Sequence, residues 1–220
     1  MTQNILITGG SGFIGSNLVD FLVLKGHKIF VVDDLSTGLK ENENIKATYF
    51  YYDLIDCIKD TKYIKNILNK NKITTVYHLA ASADISLSIN NPEKVYGINL
   101  VSSIALVNAC NNSSVNKFIF ASTSAIYGEP EYLPVDEKHP AKPISPYGLT
   151  KLGFEQYLDY FKSQTNILFT IYRFPNIYGY RQRPDLEGGV IAIFADAIQK
   201  NKDIKIFGDG EQTRDWVEVS

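Results

Sequence analysis

The sequence predicts an α/β protein in which a doubly wound parallel sheet is covered by helices on both faces. Two observations support this prediction. Short runs rich in β-branched and aromatic residues recur at wide spacing, and segments with the 3.6-residue apolar period of a helix separate them. Parallel neighbouring strands need such crossovers, and their right-handed connection produces an open sheet between two helical layers. Ligands of such sheets bind at the carboxyl ends of the strands.

Six strands are predicted for this sheet, and they span residues 4–8, 28–32, 47–52, 74–79, 117–121 and 167–172. A helix is predicted after the first strand, because Phe13, Leu18, Phe21 and Leu22 share one face. A longer helix is predicted over residues 92–110, with a proline at its start and an asparagine pair after its end.

The pattern changes near Pro175. Loops containing glycine and proline follow, with one predicted helix over residues 190–199 and a short strand over 204–207. We therefore divide the chain into residues 1–175 and the beginning of a smaller lobe, residues 176–220.

Composition narrows the class of function. The 220 residues are 45% hydrophobic and 21% charged, with a formal net charge of −2 and no run of Lys or Arg. This balance argues against nucleic acid or an anionic membrane as a partner. The start of the chain lacks a basic segment followed by an apolar one, and no stretch approaches about 18 apolar residues, so we expect a cytoplasmic protein.

Cysteine and histidine spacing predicts neither a disulfide framework nor a metal site. Cys57 and Cys110 lie far apart without ligand-forming neighbours. The three histidines, His27, His78 and His139, also lack partners at metal-ligand spacing, and we expect them to be structural or at the surface.

Four glycines crowd residues 7–15, which read Ile-Thr-Gly-Gly-Ser-Gly-Phe-Ile-Gly. Residues 10–15 match the dinucleotide fingerprint, and they follow a predicted strand and open a predicted helix, as that fingerprint requires. Glycine permits the tight turn and lets a diphosphate approach the main chain, while the helix N-terminus offers unpaired N–H groups. The alternative is a glycine-rich turn without a ligand. The pattern favours a Rossmann-type nucleotide site.

Acidic residues follow the second and third predicted strands. A carboxylate of Asp33 or Asp34 at this place accepts hydrogen bonds from a ribose diol and repels a 2′-phosphate, and no arginine follows to neutralise one. NAD is therefore favoured over NADP, although either aspartate could instead be a solvated turn residue. Asp53 is placed to meet an adenine amino group, but its spacing alone does not decide this.

Tyr147 and Lys151 lie four residues apart, just inside a predicted helix that Ser145 can cap and Pro146 can begin. Their side chains therefore share one face. A tyrosine hydroxyl has a reference pKa of about 10, and a neighbouring ammonium together with a positively charged nicotinamide ring could lower it enough for the tyrosine to act as a base. This spacing also arises by chance.

Three hydroxyl residues, Ser122, Thr123 and Ser124, stand at the carboxyl end of the fifth predicted strand. They can hold a substrate hydroxyl or carbonyl group. The alternative is a polar strand end whose hydroxyls bond to the local backbone.

Together these motifs resemble the extended short-chain dehydrogenase/reductase family, and within it the NAD-dependent nucleotide-sugar epimerases and dehydratases of the UDP-glucose 4-epimerase type. The resemblance extends from residue 1 to residue 220. The matching pieces are residues 8–15, 33–38, 78–81, 88–92, Asn99, 122–124 with 127–128, 147–151, 173–179 and 208–215.

The resemblance implies a role for each matching residue. It implies that NAD binds to Gly9, Gly12, Phe13, Ile14, Gly15, Asp33, Asp34, Leu35, Asp53, Leu54, Leu79, Ala80, Ala81, Asn99, Tyr147, Lys151 and Phe174. It implies that Thr123, Tyr147 and Lys151 are catalytic. It further implies that Ser122, Thr123, Tyr147, Asn176 and Arg214 bind a nucleotide sugar, with the arginine suited to its diphosphate.

The residues directly after Thr123 indicate which type of enzyme within the family this chain resembles. Dehydratases of the family carry an Asp-Glu pair there, and decarboxylating relatives place a glutamate near this point, whereas this chain has Ser124-Ala125. The resemblance therefore implies an epimerase that inverts C4 of a UDP-hexose through a 4-keto intermediate. The alternatives are a nucleotide-sugar dehydrogenase, reductase or dehydratase-like relative, and a non-catalytic NAD-binding regulator.

Two further expectations come from the resemblance. Family members continue beyond the stretch with which this sequence stops, so we expect residue 220 to mark a truncation within the substrate lobe. A homodimer is expected through the helices around residues 92–110 and 147–162.

Overall fold

A six-stranded parallel sheet forms the centre of the molecule. The computed structural model describes residues 2–186, 189–206 and 208–220. The strands are β1 Asn4–Thr8, β2 Lys28–Asp33, β3 Thr48–Tyr51, β4 Thr75–His78, β5 Lys117–Thr123 and β6 Leu168–Phe174. Their order across the sheet is β3-β2-β1-β4-β5-β6, and each neighbouring pair is parallel. The predicted fold class is confirmed.

Seven α-helices are described around and after the sheet. They are α1 Phe13–Leu24, α2 Lys62–Lys70, α3 Ile85–Asn90, α4 Pro92–Tyr96, α5 Ser102–Cys110, α6 Pro146–Phe161 and α7 Val190–Gln199. The start of α6 is the predicted one, because Pro146 stands in its first turn and the Ser145 hydroxyl accepts a hydrogen bond from the Gly148 N–H at 3.1 Å. None of the helices in the described ranges is long and apolar enough to cross a bilayer.

The predicted helix over residues 92–110 is interrupted. A π-helical turn, Gly97–Val101, separates α4 from α5. Within this turn, the buried Asn99 amide accepts a hydrogen bond from the Ser82 N–H at 2.8 Å and donates one to the Ser82 carbonyl at 2.9 Å. Such π turns occur often at functional sites.

A second, two-stranded sheet follows β6. Its strands, β7 Asn176–Tyr178 and β8 Trp216–Glu218, pair in parallel, and neither was predicted. The strand predicted over residues 204–207 is wrong for residues 204–206, which are irregular, and residue 207 lies outside the described residues. Ile204 and Ile206 are 40% and 62% exposed, so no described strand covers them. The division into two domains stays a prediction.

The central strands of the main sheet are buried on both faces, whereas the edge strands β3 and β6 are partly exposed. Along β1, Leu6 packs into one apolar cluster, while Ile5 and Ile7 pack into another on the opposite face with α1. The larger cluster contains Phe120 of β5 and Phe154 of α6, whose rings meet edge to face with centroids 4.8 Å apart. Full burial of such side chains stabilises the fold by about 1.5–3 kcal/mol each.

His78 ends β4 inside this core and is 1% exposed. Its Nδ1 lies 2.7 Å from the Thr8 hydroxyl oxygen, and its Nε2 lies 2.7 Å from the Ser103 hydroxyl oxygen. Burial, together with the positive charge of Lys151, lowers the pKa of His78 to about 3. The imidazole is therefore neutral in the folded protein at ordinary pH.

We predict that this burial makes the stability of the protein fall in acid. The pKa of His78 is about 3 in the fold against 6.5 in the unfolded chain, so the unfolded chain binds more protons between these values. The contribution is complete above pH 6.5 and is lost as the pH falls toward about 3, by up to about 1.4 kcal/mol per pH unit.

The test is urea unfolding of the wild type and His78→Gln at about pH 7.5, 6 and 5. The variant removes the titrating group, so its free energy of unfolding should fall less steeply with acid than that of the wild type. The value at the highest pH serves as each protein's own reference. Equal slopes for the two proteins would contradict the prediction.

Candidate active site

An open cleft runs along the carboxyl ends of the strands, at the point where the strand order reverses between β1 and β4. Most of the predicted cofactor residues line it: Gly9, Gly12, Phe13, Ile14, Gly15, Asp33, Asp34, Asp53, Leu54, Leu79, Ala80 and Ala81. Further wall residues were not predicted as site residues: Val32, Ser36, Thr37, Tyr52, Ile55, Ile98, Ser102 and Ala121. Ser36 and Thr37 could have been found, because they belong to the matching stretch 33–38.

The glycine turn after β1 leaves room only for main chain. Gly9 has φ +73°, and a Cβ there would lie 2.8 Å from the Ala80 nitrogen. A Cβ on Gly15 would lie 2.0 Å from the Gly9 carbonyl oxygen. Both distances are far below ordinary contact, so these positions need glycine. The turn is thereby packed against both α1 and the chain after β4.

The first turn of α1 forms the floor beside this turn. The N-cap is Gly12, which has no side chain to bond the first N–H groups of the helix. These groups lack intrahelical partners, and the helix dipole makes this end positive. A glycine cradle joined to an uncapped helix N-terminus fits the diphosphate of a dinucleotide.

Asp33 stands at the end of β2 and is 7% exposed. Its carboxylate accepts hydrogen bonds from the Ser11 and Leu35 N–H groups, both at 2.9 Å. Burial raises the pKa of Asp33, and these two N–H groups oppose that rise. The buried carboxylate in the cleft wall fits a ribose diol and disfavours a 2′-phosphate.

The other predicted residues near the ends of β2 and β3 form different hydrogen bonds. Asp34 is exposed at the cleft, and its carboxylate accepts hydrogen bonds from the Ser36 N–H at 2.9 Å and hydroxyl at 2.6 Å. Leu35 has φ +58° and lies outside the wall, so its contribution is the N–H that it donates to Asp33. Asp53 caps the short 3-10 helix Leu54–Ile58 by accepting from the Ile55 N–H at 2.8 Å.

Asn99 lies behind the cleft wall. Besides holding the Ser82 backbone, its amide donates to the Thr150 hydroxyl at 3.2 Å, and that hydroxyl donates to the Tyr147 carbonyl at 2.7 Å. The residue therefore joins the chain that follows Ala81 to the first turn of α6.

The first two turns of α6 carry Tyr147 and Lys151. Lys151 is 3% exposed; its Nζ donates to the Ala121 carbonyl at 2.9 Å and lies 4.9 Å from the centroid of the Phe120 ring. A Cβ on Gly148 would lie 2.7 Å from the Ala125 carbonyl oxygen. The helix therefore sits tightly against the end of β5 and the turn after it.

Thr123 and Ser122 end β5 with different partners. The Thr123 hydroxyl oxygen accepts from the Ala125 N–H at 3.1 Å, so its own proton can be donated. The Ser122 hydroxyl is buried and donates to the Glu155 carboxylate of α6. Thr123 pairs in register with Phe174 at the end of β6, which is half-buried and stacks on Tyr172.

Asn176 lies on β7 of the second sheet, and Arg214 precedes β8, the strand paired with it. The Asn176 amide donates to the Asp215 carbonyl at 3.3 Å, next to Arg214 in the chain. Both side chains are exposed, and a guanidinium nitrogen of Arg214 donates to its neighbouring Thr213 carbonyl at 2.7 Å. Neither residue lies in the cleft wall.

The segment after β7 contacts α1 and the loop after β2, which the sequence did not indicate. Arg181 forms an ion pair with Asp20 of α1 at 2.8 Å, and Asn17 donates to the Tyr180 carbonyl at 2.9 Å. Arg183 donates to the Thr37 carbonyl at 3.3 Å, beside the cleft. No group of three potential metal ligands occurs among the residues for which the structure gives positions.

The family model described as "NAD dependent epimerase/dehydratase family" matches residues 5–220. The chain belongs to this family. The predicted family, the enzyme class of epimerase type and the NAD cofactor are thereby confirmed, and the glycine cradle and Asp33 fit that cofactor.

Individual relatives are similar over nearly all of the chain. The UDP-glucose 4-epimerase of Mycolicibacterium smegmatis is 36% identical over 97% of this chain and 69% of its own length. A UDP-glucose 4-epimerase from Thermotoga maritima, solved with UDP-glucose, is 39% identical with a TM-score of 0.94, over 99% of this chain and 70% of that one. The Thermus thermophilus UDP-glucose 4-epimerase, solved with NAD, is 37% identical with a TM-score of 0.91, and the match covers 99% of this chain and 71% of that one.

We predict that Gly15→Ala weakens NAD binding by about tenfold or more, which is about 1.4 kcal/mol. The added Cβ meets the Gly9 carbonyl at 2.0 Å, so the glycine turn must open. The measurement is NAD titration by calorimetry. Gly97→Ala is the control, because a Cβ there meets nothing within 4 Å and the backbone is helical. Equal NAD affinity in both variants would contradict the prediction.

Proposed function

We propose that this chain catalyses the NAD-dependent inversion of C4 of a UDP-hexose, of the UDP-glucose and UDP-galactose type. The observation that carries the proposal is the bond from the Lys151 ammonium to the Ala121 carbonyl at 2.9 Å, because Ala121 itself lines the cleft. This bond joins α6, which carries Tyr147, to the end of β5, which carries Thr123, at the wall of the cleft.

Three side chains are proposed to act around the sugar 4-hydroxyl. Tyr147, as phenolate, removes this proton and later returns it to the same oxygen. The Thr123 hydroxyl donates a hydrogen bond to that oxygen. The ammonium of Lys151, on the same face of α6 as Tyr147, favours the phenolate and holds the nicotinamide ribose.

NAD, when bound, supplies a reversible hydride acceptor, so one sugar carbon can be oxidised and then reduced again without net consumption of the cofactor. Gly9, Gly12 and Gly15 would hold its diphosphate, and Asp33 its adenosine ribose. C4 would be inverted if the 4-keto sugar turned its opposite face toward the cofactor before it was reduced.

The turn after Thr123 favours epimerisation over dehydration. Residues 124–126 form a 3-10 turn of Ser, Ala and Ile, which carries no carboxylate to remove water from the sugar. A one-way dehydrogenase or reductase would instead show net production or consumption of NADH. A non-catalytic NAD sensor would not need Tyr147 and Lys151 beside the cleft.

The substrate's nucleotide diphosphate is assigned to Asn176 and Arg214, on or beside the adjacent strands β7 and β8. Arg214 supplies a planar charged fork for phosphate oxygens, and its exposure leaves that fork accessible. The relatives from M. smegmatis and T. maritima support UDP-glucose as the first substrate to test.

The active protein is proposed to be a homodimer formed through α4, α5 and α6. Val101, in the π turn between α4 and α5, and Leu149, on α6, are 41% and 47% exposed, which supports an apolar contact there. The cytoplasmic location and the division at residue 175 stay predictions.

The first experiment incubates the protein with UDP-glucose or UDP-galactose, with and without NAD, and follows both the 4-epimer and NADH absorbance. The proposal expects epimer without net NADH. Steady NADH accumulation would favour the dehydrogenase, and NAD binding without any turnover of either sugar would contradict the proposal for these substrates.

We predict that Tyr147→Phe lowers kcat by about 100-fold or more, because general acid–base catalysis contributes about 10²–10⁴. NAD affinity should stay within about twofold, because the ring remains. Tyr63→Phe is the control: it makes the same change on α2, where the 43% exposed ring lies tilted against the Tyr52 ring, with centroids 4.6 Å apart. Full activity of Tyr147→Phe would overturn the assignment.

A further inference from the structure

A buried ion pair lies beside the end of β5, between α6 and β6. The Arg173 Nη2 is 2.8 Å from the Glu155 Oε2, and the Arg173 Nε is 3.2 Å from both carboxylate oxygens. The glutamate side chain is 7% exposed and that of the arginine 25%. The mechanism proposed above uses neither residue.

Glu155 also holds the strand that carries Thr123. It accepts a hydrogen bond from the Ser122 hydroxyl, while Lys151, one turn earlier on α6, donates to the Ala121 carbonyl. Two consecutive residues of β5 are therefore fixed by two residues on one face of α6. The next residue of the strand is Thr123.

Arg173, the partner of Glu155, also contacts the chain that follows Thr123. Its Nη1 donates to the Tyr127 hydroxyl at 2.9 Å and to the Glu137 carbonyl at 3.2 Å, and its guanidinium lies 5.2 Å from the centre of the Tyr127 ring. The ion pair thus anchors the chain on both sides of Thr123.

We propose that Glu155 is a positioning residue, which through Ser122 and Arg173 sets the Thr123 hydroxyl against Tyr147 and Lys151. This inference rests on the proposed function. It gives Ser122 a supporting role behind the site in place of the predicted direct contact with substrate.

The test is Glu155→Gln, which keeps the shape and an acceptor for Ser122 but removes the charge that Arg173 needs. Misplacement of a catalytic group is costly, so kcat per NAD-loaded chain should fall by about tenfold or more at unchanged KM. NAD affinity, measured by titration, should stay within about twofold, because the dinucleotide cleft does not contain Glu155. Asp60→Asn is the control, since it removes a carboxylate from an exposed ion pair with Lys62.

Amide hydrogen exchange of peptides covering residues 121–127 gives a readout that needs no turnover. Glu155→Gln should speed exchange there by about tenfold or more, and Asp60→Asn should not. If the wild type fails to epimerise, the proposed function fails and this exchange still decides the positioning role. Unchanged exchange, or a kcat within about twofold of the wild type, would overturn the inference.

If Glu155→Gln does not fold, Ser122→Ala tests the proposed positioning role instead. It removes one hydroxyl and leaves the ion pair in place. A lower kcat at unchanged KM and faster exchange over residues 121–127 support positioning through Glu155. A raised KM at unchanged kcat would mean that Ser122 contacts substrate directly and would overturn the inference.

Discussion

The close backbone contact between the glycine turn after β1 and the chain after β4 is the constraint on which the site depends. Because the strand order reverses there, two chain segments leave the sheet in different directions and a crevice opens between them. Gly9 lies against Ala80, and Gly15 lies against Gly9, at distances that exclude any side chain. The cofactor cleft is the space that this contact leaves beside the main chain.

A chain of buried hydrogen bonds extends that contact toward α6, the helix that carries Tyr147 and Lys151. Thr8 bonds to His78, His78 to Ser103, and the Ser103 hydroxyl donates to the Asn99 carbonyl at 2.6 Å. The Asn99 side chain then bonds to Ser82 and Thr150. Since a buried polar group without a partner is costly, each member holds the next in place. The end of β1 and the first turn of α6 therefore share one internal framework.

Local patterns predicted the six strands and the glycine cradle because these features depend on residues close together in the chain. A buried strand is a short apolar run, and a dinucleotide turn is a spacing of glycines. The π turn at Asn99 and the ion pair of Glu155 with Arg173 could not be predicted in this way. They depend on partners 17 and 18 residues away, which only the folded chain identifies.

The second sheet could not be predicted from local patterns either. β7 and β8 are three residues each and pair across a long separation, so neither has a periodic signal of its own. Ile204 and Ile206 have the residue types of a strand but no described partner, and residues 204–206 are irregular. Individual site roles at Asn176 and Arg214 depend on this pairing and stay predictions.

One proline joins the two sheets. Arg173 and Phe174 end β6, Asn176 begins β7, and only Pro175, with its fixed φ, stands between them. Arg173, which contacts the chain beyond Thr123, and Asn176, the proposed partner of the substrate diphosphate, therefore lie on one segment whose middle residue has a fixed φ. A substitution that shifted Asn176 to suit another nucleotide would also disturb the alignment of Thr123. Changes in nucleotide preference are therefore easier to acquire elsewhere in the protein than along this segment.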